Sequence, residues 1–464
     1  MKISRKEWAL MSPVLLAASL AGCSAEMGNE QVTATGQQAL IGGALPGTDP
    51  DDFAEAVDNF TSIEGAEDGL GPVFNERGCG ACHTDGANGG AGVQIERRFG
   101  RFVNGRFDPI EGSGGSLRQL FSLGTFNNGP RVCNVPVEVE PASATVHNVG
   151  RLVTPLFGLG LVDAMPDSFF DGLAAAEPAA IRGIARRVPV LFPNVNRANN
   201  VPAQVVGSMR VARFGWKAAV PTLLQFAADA YINEMGITTQ SCLLGKSLND
   251  FAVEAAPNGQ PQAPGCDDLA PLQTAEDVAA TGMQIDTDDA VGPCEPGQTE
   301  VQDDIDNFAF FMTHSAPPGP ESADRADTIS INRGSPIFDR IGCAGCHTRR
   351  AFVTPAVTNN GVPGNFTFHP FSDFLVHDMG TLGDRIGLNA GETVAQSRLM
   401  RTAPLWGIKV RNKLLHDGRT SDIASAVRAH DGQGAAARNA FNRLSGADQH
   451  NVVQFVRSIA SDTR

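Results

Sequence analysis

Apolar residues follow a helical spacing at the end of the chain and a repeated pattern at two places inside it. A helix would place Val452, Val453, Phe455, Val456 and Ile459 on one side. Residues 71–78 and 335–342 both contain Pro, an apolar residue and Phe, and both end in Gly directly before a cysteine, while residues 154–158 resemble residues 403–407. This period is too long for a solenoid. The pattern therefore predicts two related domains, each with a helix leading to the cysteine and a closing helix.

The first 22 residues have the pattern of an export signal. A positively charged start precedes an apolar run at residues 9–20, which is too short to span a bilayer. Residues 20–23 resemble the bacterial lipoprotein box, in which cleavage before the cysteine leaves a thiol that carries lipid. An ordinary secretory signal with a chance cysteine is the alternative. The resemblance predicts a lipid anchor at Cys23 and a periplasmic protein. Because Ser24 rather than Asp follows, the outer membrane is the expected location.

Two C-x-x-C-H motifs, at residues 79–83 and 343–347, carry the most specific chemistry. In such a motif both thiols bond to the vinyl groups of a haem, and the adjacent His binds the iron. A single C-x-x-C could be a redox dithiol or half of a zinc site. Two copies followed by His in an exported chain indicate two covalently bound haem c groups. The attachment residues are Cys79, Cys82, Cys343 and Cys346, and the iron ligands are His83 and His347.

The length of 464 residues predicts more than one domain. We expect a signal peptide at residues 1–22, a flexible tether at 23–48, an N-terminal haem domain at 49–240, a connector at 241–320 and a C-terminal haem domain at 321–464. The expected fold is mainly α, with two cytochrome c-like haem domains related by an internal repeat. Long irregular loops should join their helices, because Gly and Pro are frequent.

Four of the nine cysteines remain after lipid and haem are assigned, namely Cys133, Cys242, Cys266 and Cys294. In an oxidising periplasm they suggest two disulfides, for which three connectivities exist. The pair Cys266–Cys294 is favoured because it brackets a stretch rich in Pro and Asp. A structural metal also fits an even count, but the close-spaced pairs of a zinc site are missing.

The formal net charge of −15 argues against nucleic acid as a partner and is compatible with a basic electron donor. Calcium is a further candidate ligand, because Asp286, Asp288 and Asp289 lie close together in the connector. These residues lack the regular loop of an EF-hand. A solvated acidic loop is therefore the favoured interpretation.

At this level of detail the chain resembles the di-haem oxidoreductase family within the bacterial di-haem peroxidases. Besides the haem motifs, the similar segments are residues 151–161, 213–218, 234–238, 372–380, 401–407 and 415–419. The resemblance implies that the N-terminal iron is open and meets peroxide, whereas the C-terminal iron is six-coordinate and stores electrons. It also implies that Trp216 lies between the haems and that Gln225 and Glu234 lie over the open one.

Peroxide cleavage gives the implied role of Glu234 a chemical reason. Heterolytic cleavage of the O–O bond requires a proton to move from one peroxide oxygen to the leaving one. A carboxylate in a partly apolar pocket can carry that proton if its pKa is raised. A surface carboxylate is the alternative for Glu234, and plain core packing is the alternative for Trp216.

The resemblance places a thioether ligand of the second haem at Met400, and Met379 is the competing candidate. In the first half the position that matches Met400 is Arg151, which is not a usual iron ligand, and this favours an open first haem. His147 could close that site, but a surface role is favoured for it. A hydrogen-bonding role rather than iron ligation is expected for His377, His416 and His430.

The leading hypothesis is a di-haem oxidoreductase that reduces hydrogen peroxide to water at the first haem. Electrons would enter through the second haem from a small periplasmic cytochrome or cupredoxin. One alternative is a pure electron-transfer cytochrome in which both irons are six-coordinate. Another is an oxidase of an external organic substrate, or a cofactor-maturing enzyme.

Overall fold

The computed structural model describes residues 41–464 except 66–69, 72, 129–130, 197–200, 238–239, 242–245 and 248–303. Several sequence predictions concern residues outside the described ones, namely those on the signal peptide, Cys23, Cys242, Cys266, Cys294 and the calcium candidates Asp286, Asp288 and Asp289. Cys133 is buried and disulfide-bonded, as expected for one of the four spare cysteines.

The helices of the described residues are mostly short. The α-helices are α1 (Pro50–Thr61), α2 (Cys79–Cys82), α3 (Leu159–Asp163), α4 (Asp167–Ala176), α5 (Leu223–Ala230), α6 (Asp304–His314), α7 (Thr328–Arg340), α8 (Val394–Ser397), α9 (Ile423–Ala429), α10 (Ala435–Asn442) and α11 (Gly446–Arg457). A π-helical turn, Tyr231–Met235, continues α5. Within the described part of the chain, each helix is too short or too polar to cross a bilayer.

Eighteen short strands lie between these helices in the described part of the chain. The strands are β1 (Val73–Phe74), β2 (Ile95–Val103), β3 (Arg106–Asp108), β4 (Leu117–Arg118), β5 (Phe121–Ser122), β6 (Gly124–Asn128), β7 (Arg131–Val135), β8 (Val146–Leu152), β9 (Arg187–Pro189), β10 (Val195–Asn196), β11 (Val201–Pro202), β12 (Met209–Val211), β13 (Gln240–Ser241), β14 (Lys246–Ser247), β15 (Phe352–Val353), β16 (Thr367–Phe368), β17 (Val376–Asp378) and β18 (Leu399–Arg401). The strand β2 pairs antiparallel with β3, β4 and β8, and the other strands form two-stranded sheets.

The expectation of a mainly α, cytochrome-like fold is wrong, because the structure mixes 34% helix with 17% strand in several small sheets. The segments between helices were expected to be irregular loops. They instead pair their backbone groups in short antiparallel ladders, which satisfies N–H and C=O groups that burial would otherwise leave unpaired. The longest such segment is β2, which pairs with three other strands.

Two helix pairs frame the two motifs. In the first pair, Phe60 of α1 packs against Phe311 of α6 with ring centres 4.3 Å apart. In the second, Phe338 of α7 packs against Phe455 of α11 at 5.3 Å. The helix α11 confirms the closing helix predicted from apolar spacing, and Ser445 caps its first turn. The helix that closes the first half, α6, lies inside the range predicted as connector.

The repeat is visible in the backbone at positions that lie 200 residues apart. Isolated bridges join Phe214 to Val220 in the first half and Leu414 to Thr420 in the second. Each bridge is followed by an N-cap residue, Thr222 before α5 and Asp422 before α9. When the two halves are aligned with this offset of 200 residues, Trp216 corresponds to His416. At the ends of α5 and α9, Ala230 corresponds to His430.

The described residues from 41 to 464 form one compact unit. Within this unit, a backbone bridge joins Ile184 of the first half to Val376 of the second. The two halves that carry the motifs are therefore in direct contact, and side chains from one can line the site of the other.

Candidate functional site

The second motif follows α7 through a tight turn. Gly342 adopts φ 92°, a left-handed conformation that favours glycine, directly before Cys343. The Nδ1–H of His347 donates to the carbonyl oxygen of Phe371 at 3.0 Å, which leaves Nε2 for a metal. Cys343 and Cys346 form no disulfide. All three side chains line a largely apolar cavity of about 350 Å³, and this donor set fits a haem.

His430 lies across this cavity from His347. Its Nδ1–H donates to the carbonyl oxygen of Ala426 at 2.9 Å, so that its Nε2 is also left for a metal. The two ring centres are 6.5 Å apart, and the rings are inclined by 63°. Two imidazoles bound to one metal from opposite sides, with bonds of about 2 Å, have ring centres roughly 6 Å apart. Burial lowers the pKa of both side chains, which keeps them in the neutral form that binds metals.

Met400 and Met379 line the same cavity. Met400 is buried on β18 opposite His377 of β17, and its Sδ lies 3.9 Å from Nζ of Lys217. His377 is held by Asp373, whose Oδ2 lies 3.1 Å from Nε2 of His377. The structure thus brings three candidate ligands, Met400, Met379 and His430, to the second motif, and the ring centre of His430 lies 6.5 Å from that of His347.

The first motif repeats the arrangement of the second. Cys79 and Cys82 lie on the short helix α2, and neither forms a disulfide. The Nδ1–H of His83 donates to the carbonyl oxygen of Gly90 at 2.9 Å. Phe60 of α1 packs beside this imidazole at 5.9 Å. Two thiols and one oriented imidazole again make a donor set that fits a haem.

Glu234 lies next to this motif, on the π-helical turn that continues α5. Asn75 holds it twice: the Nδ2 of Asn75 donates to Oε2 of Glu234 at 2.8 Å, and its backbone N–H donates to the carbonyl oxygen at 2.7 Å. Burial, together with the neighbouring charge of Glu96, raises the pKa of Glu234 to about 8. The charge of Glu234 in turn helps to raise the pKa of Cys82, after burial itself. Glu234 is therefore a mostly neutral carboxyl group beside the first haem attachment site.

Glu96 was not singled out by sequence, yet it is the closest acidic neighbour of Glu234. It lies on β2 opposite Arg151 of β8. Its Oε1 contacts Nε of Arg98 and lies 3.8 Å from a terminal nitrogen of Arg151. Burial raises the pKa of Glu96, but the two guanidinium groups outweigh burial and lower it. Apolar and polar side chains do not alternate along residues 95–103, so the sequence carried no clear strand signal for Glu96.

Trp216 connects the two halves. Its Nε1–H donates to the carbonyl oxygen of Leu152 at 2.6 Å, and its ring packs edge-on against His416 at 6.2 Å. Both rings line the cavity of the second motif. The structure thus places Trp216, a residue of the first half, at the cavity of the second motif. The Oε1 of Gln225 accepts a hydrogen bond from the backbone N–H of Leu191 at 2.9 Å.

A buried ion network joins the two sites. Nε of Arg151 donates to Oδ2 of Asp384 at 2.8 Å, and Nζ of Lys217 donates to Oδ1 at 3.1 Å. The side chain of Asp384 is fully buried. Burial would raise its pKa, but Arg151 and Lys217 lower it to about 2. Asp384 is therefore ionised and ties the strand that carries Arg151 to the second half.

Residues 271–459 match the family model described as di-haem oxidoreductase, putative peroxidase. This part of the chain is therefore similar to the di-haem oxidoreductase family. No curated protein matches the chain. The match contains the second C-x-x-C-H motif, His430 and Met400, and it confirms the resemblance noted in the sequence. A di-haem oxidoreductase requires a second haem, and residues 79–83 supply a matching set of donors in the other half.

Proposed function

We propose that the chain is a di-haem c-type oxidoreductase that reduces hydrogen peroxide at the N-terminal haem. Electrons reach that haem through the C-terminal one. Thioether bonds from Cys79 and Cys82 would hold the first haem, and bonds from Cys343 and Cys346 would hold the second. His83 and His347 are the corresponding iron ligands.

The observation that carries this proposal is a difference between two matched positions. His430 lies at the end of α9 with its ring centre 6.5 Å from that of His347, and the matched residue at the end of α5 is Ala230. A methyl group cannot bind iron. We therefore assign His430 as the sixth ligand of the second haem, in preference to Met400 and Met379, and leave the first haem open to peroxide.

This ligand assignment changes the expected electronic division of labour. Ligation by Met raises the reduction potential of a haem. A second haem with two imidazole ligands would therefore have a lower reduction potential than one with an imidazole and a thioether ligand. The second haem then serves as a low-potential electron store. Trp216 is the aromatic side chain of the first half that reaches the cavity of this haem, and it is our proposed relay between the two irons.

Glu234 provides the proton. A bound haem would supply the redox chemistry that cleaves the O–O bond. The neutral carboxyl group of Glu234 can donate to the leaving oxygen, and Asn75 fixes its orientation through the hydrogen bond to Oε2. Burial of Glu234 keeps the proton on the side chain at neutral pH.

A lipid at Cys23 would anchor the protein in the periplasm, to the outer membrane. The donor would be a small cytochrome or cupredoxin with a basic face, which the net charge of −15 supports.

Two measurements on the purified holoprotein test the function. In a cyanide titration, one high-spin haem per chain should bind one cyanide. In a turnover assay, the protein should consume hydrogen peroxide when a reduced donor is present. Glu234→Gln should slow peroxide consumption by about 10²–10⁴-fold, because a positioned acid is lost. Glu76→Gln, a change beside the same motif, is the matched control and should leave the rate unchanged. Two low-spin haems without cyanide binding or turnover would support pure electron transfer and overturn the proposal.

A further inference from the structure

Glu96 and Glu234 form an acid pair at the first motif, although they come from different elements. Glu96 lies on β2, and Glu234 lies on the π-helical turn after α5. Their carboxyl groups are in hydrogen-bonding contact. Such a contact requires a proton, because two ionised carboxylates this close repel each other in a buried site. The pair therefore binds one proton between two groups.

The neighbours of the two carboxyl groups decide which one is ionised. Glu96 faces two cations, Arg98 and Arg151, whereas Glu234 accepts its hydrogen bond from the neutral amide of Asn75. Asp229 completes the charged surroundings and lies near Arg98. Coulomb attraction thus favours the negative charge on Glu96 and the proton on Glu234.

Arg151 is held at this position from the other half of the chain. Asp384 accepts from Nε of Arg151 at 2.8 Å, and Lys217 supports Asp384. The charge on Glu96 is therefore fixed by an anchored cation rather than by a mobile surface residue.

We propose that Glu96 is a positioning residue that keeps one proton on Glu234, so that the pair delivers a single proton at the first haem. This inference rests on the proposed function. Reduction of one hydrogen peroxide breaks the O–O bond and forms two water molecules, with two electrons from the donor and two protons. Glu234 gives one proton to the leaving oxygen, and solvent supplies the second and later reprotonates Glu234. Glu96 remains ionised throughout.

The test is an infrared pH titration of the resting holoprotein, without peroxide. The wild type should show a protonated carboxyl band that Glu234→Gln removes. Glu96→Gln should lower the midpoint of this band by about 1–3 pH units, because a neighbouring negative charge is lost. Glu96→Asp keeps the charge and should restore most of the midpoint. Asp229→Asn removes a charge nearby without contacting Glu234, and it should shift the midpoint less than Glu96→Gln.

A further variant keeps the test decisive if Glu96→Gln does not fold. Arg98→Gln removes a cation from the pair and should move the midpoint in the opposite direction, upward. An unchanged midpoint in both Glu96→Gln and Arg98→Gln would overturn the inference, as would a band that survives Glu234→Gln but not Glu96→Gln. If the midpoints shift as expected while the wild type consumes no peroxide, the acid pair stands and the proposed function fails.

Discussion

Replacing His430 by Ala tests the ligand assignment of the second haem. In the structure the imidazole of His430 faces that of His347 across the cavity, with ring centres 6.5 Å apart. The variant keeps the helix α9 but removes the nitrogen that would reach the iron from the second side. We expect the second haem to become five-coordinate and high-spin.

The number of cyanide molecules bound per chain measures the loss of the ligand. The wild type should bind one cyanide per chain, at the first haem, and His430→Ala should bind two. The high-spin signal in electron spin resonance should double in the same sample. The reduction potential of the second haem should also shift, by about 59 mV for every tenfold change in the relative affinity of the lost ligand for ferric and ferrous iron.

Met400→Leu and Met379→Leu are the matched controls, because both side chains line the same cavity and leucine has a similar volume. Each should retain one low-spin haem and one cyanide per chain. A high-spin second haem in Met400→Leu, together with an unchanged spectrum in His430→Ala, would refute the assignment of His430 and return the ligand to the thioether.

Three further predictions concern cofactor content, location and stability. Cys79→Ala and Cys343→Ala should each halve the haem yield per chain in a pyridine haemochrome assay, and two haems in either variant would contradict the attachment sites. Cys23→Ala should move the protein from the membrane fraction to the soluble periplasm, and retention in the membrane would exclude the lipid anchor. Asp384→Asn should lower the free energy of unfolding by about 3–5 kcal/mol in chemical denaturation, because it leaves Arg151 and a lysine without their buried counter-charge. Since the pKa of Asp384 is lowered to about 2 in the folded state, its stabilisation should be present above pH ~4 and disappear as the pH falls toward 2.

The sequence by itself determined the features that depend on neighbouring residues. The C-x-x-C-H motif is five residues long, so the proposed haem attachment sites at residues 79–83 and 343–347 could be predicted without a structure. The closing helix α11 was predicted because the spacing of Val452, Phe455 and Val456 reports the period of a helix. The resemblance to the di-haem oxidoreductase family followed from motifs and segments in both halves, and the family match confirmed it for residues 271–459.

Only the tertiary structure decided the features that join distant segments. Segments that were expected to be loops form strands because they pair with distant segments of the chain, as β2 pairs with β8. Such pairing leaves only a weak signal in the local sequence. The fold also brings the ring centre of His430 to 6.5 Å from that of His347, and no local pattern in the sequence reports this proximity. From the sequence, His430 was therefore expected to form hydrogen bonds rather than to bind iron. Glu96 acquired its significance from Glu234 and Arg151, which the fold brings beside it.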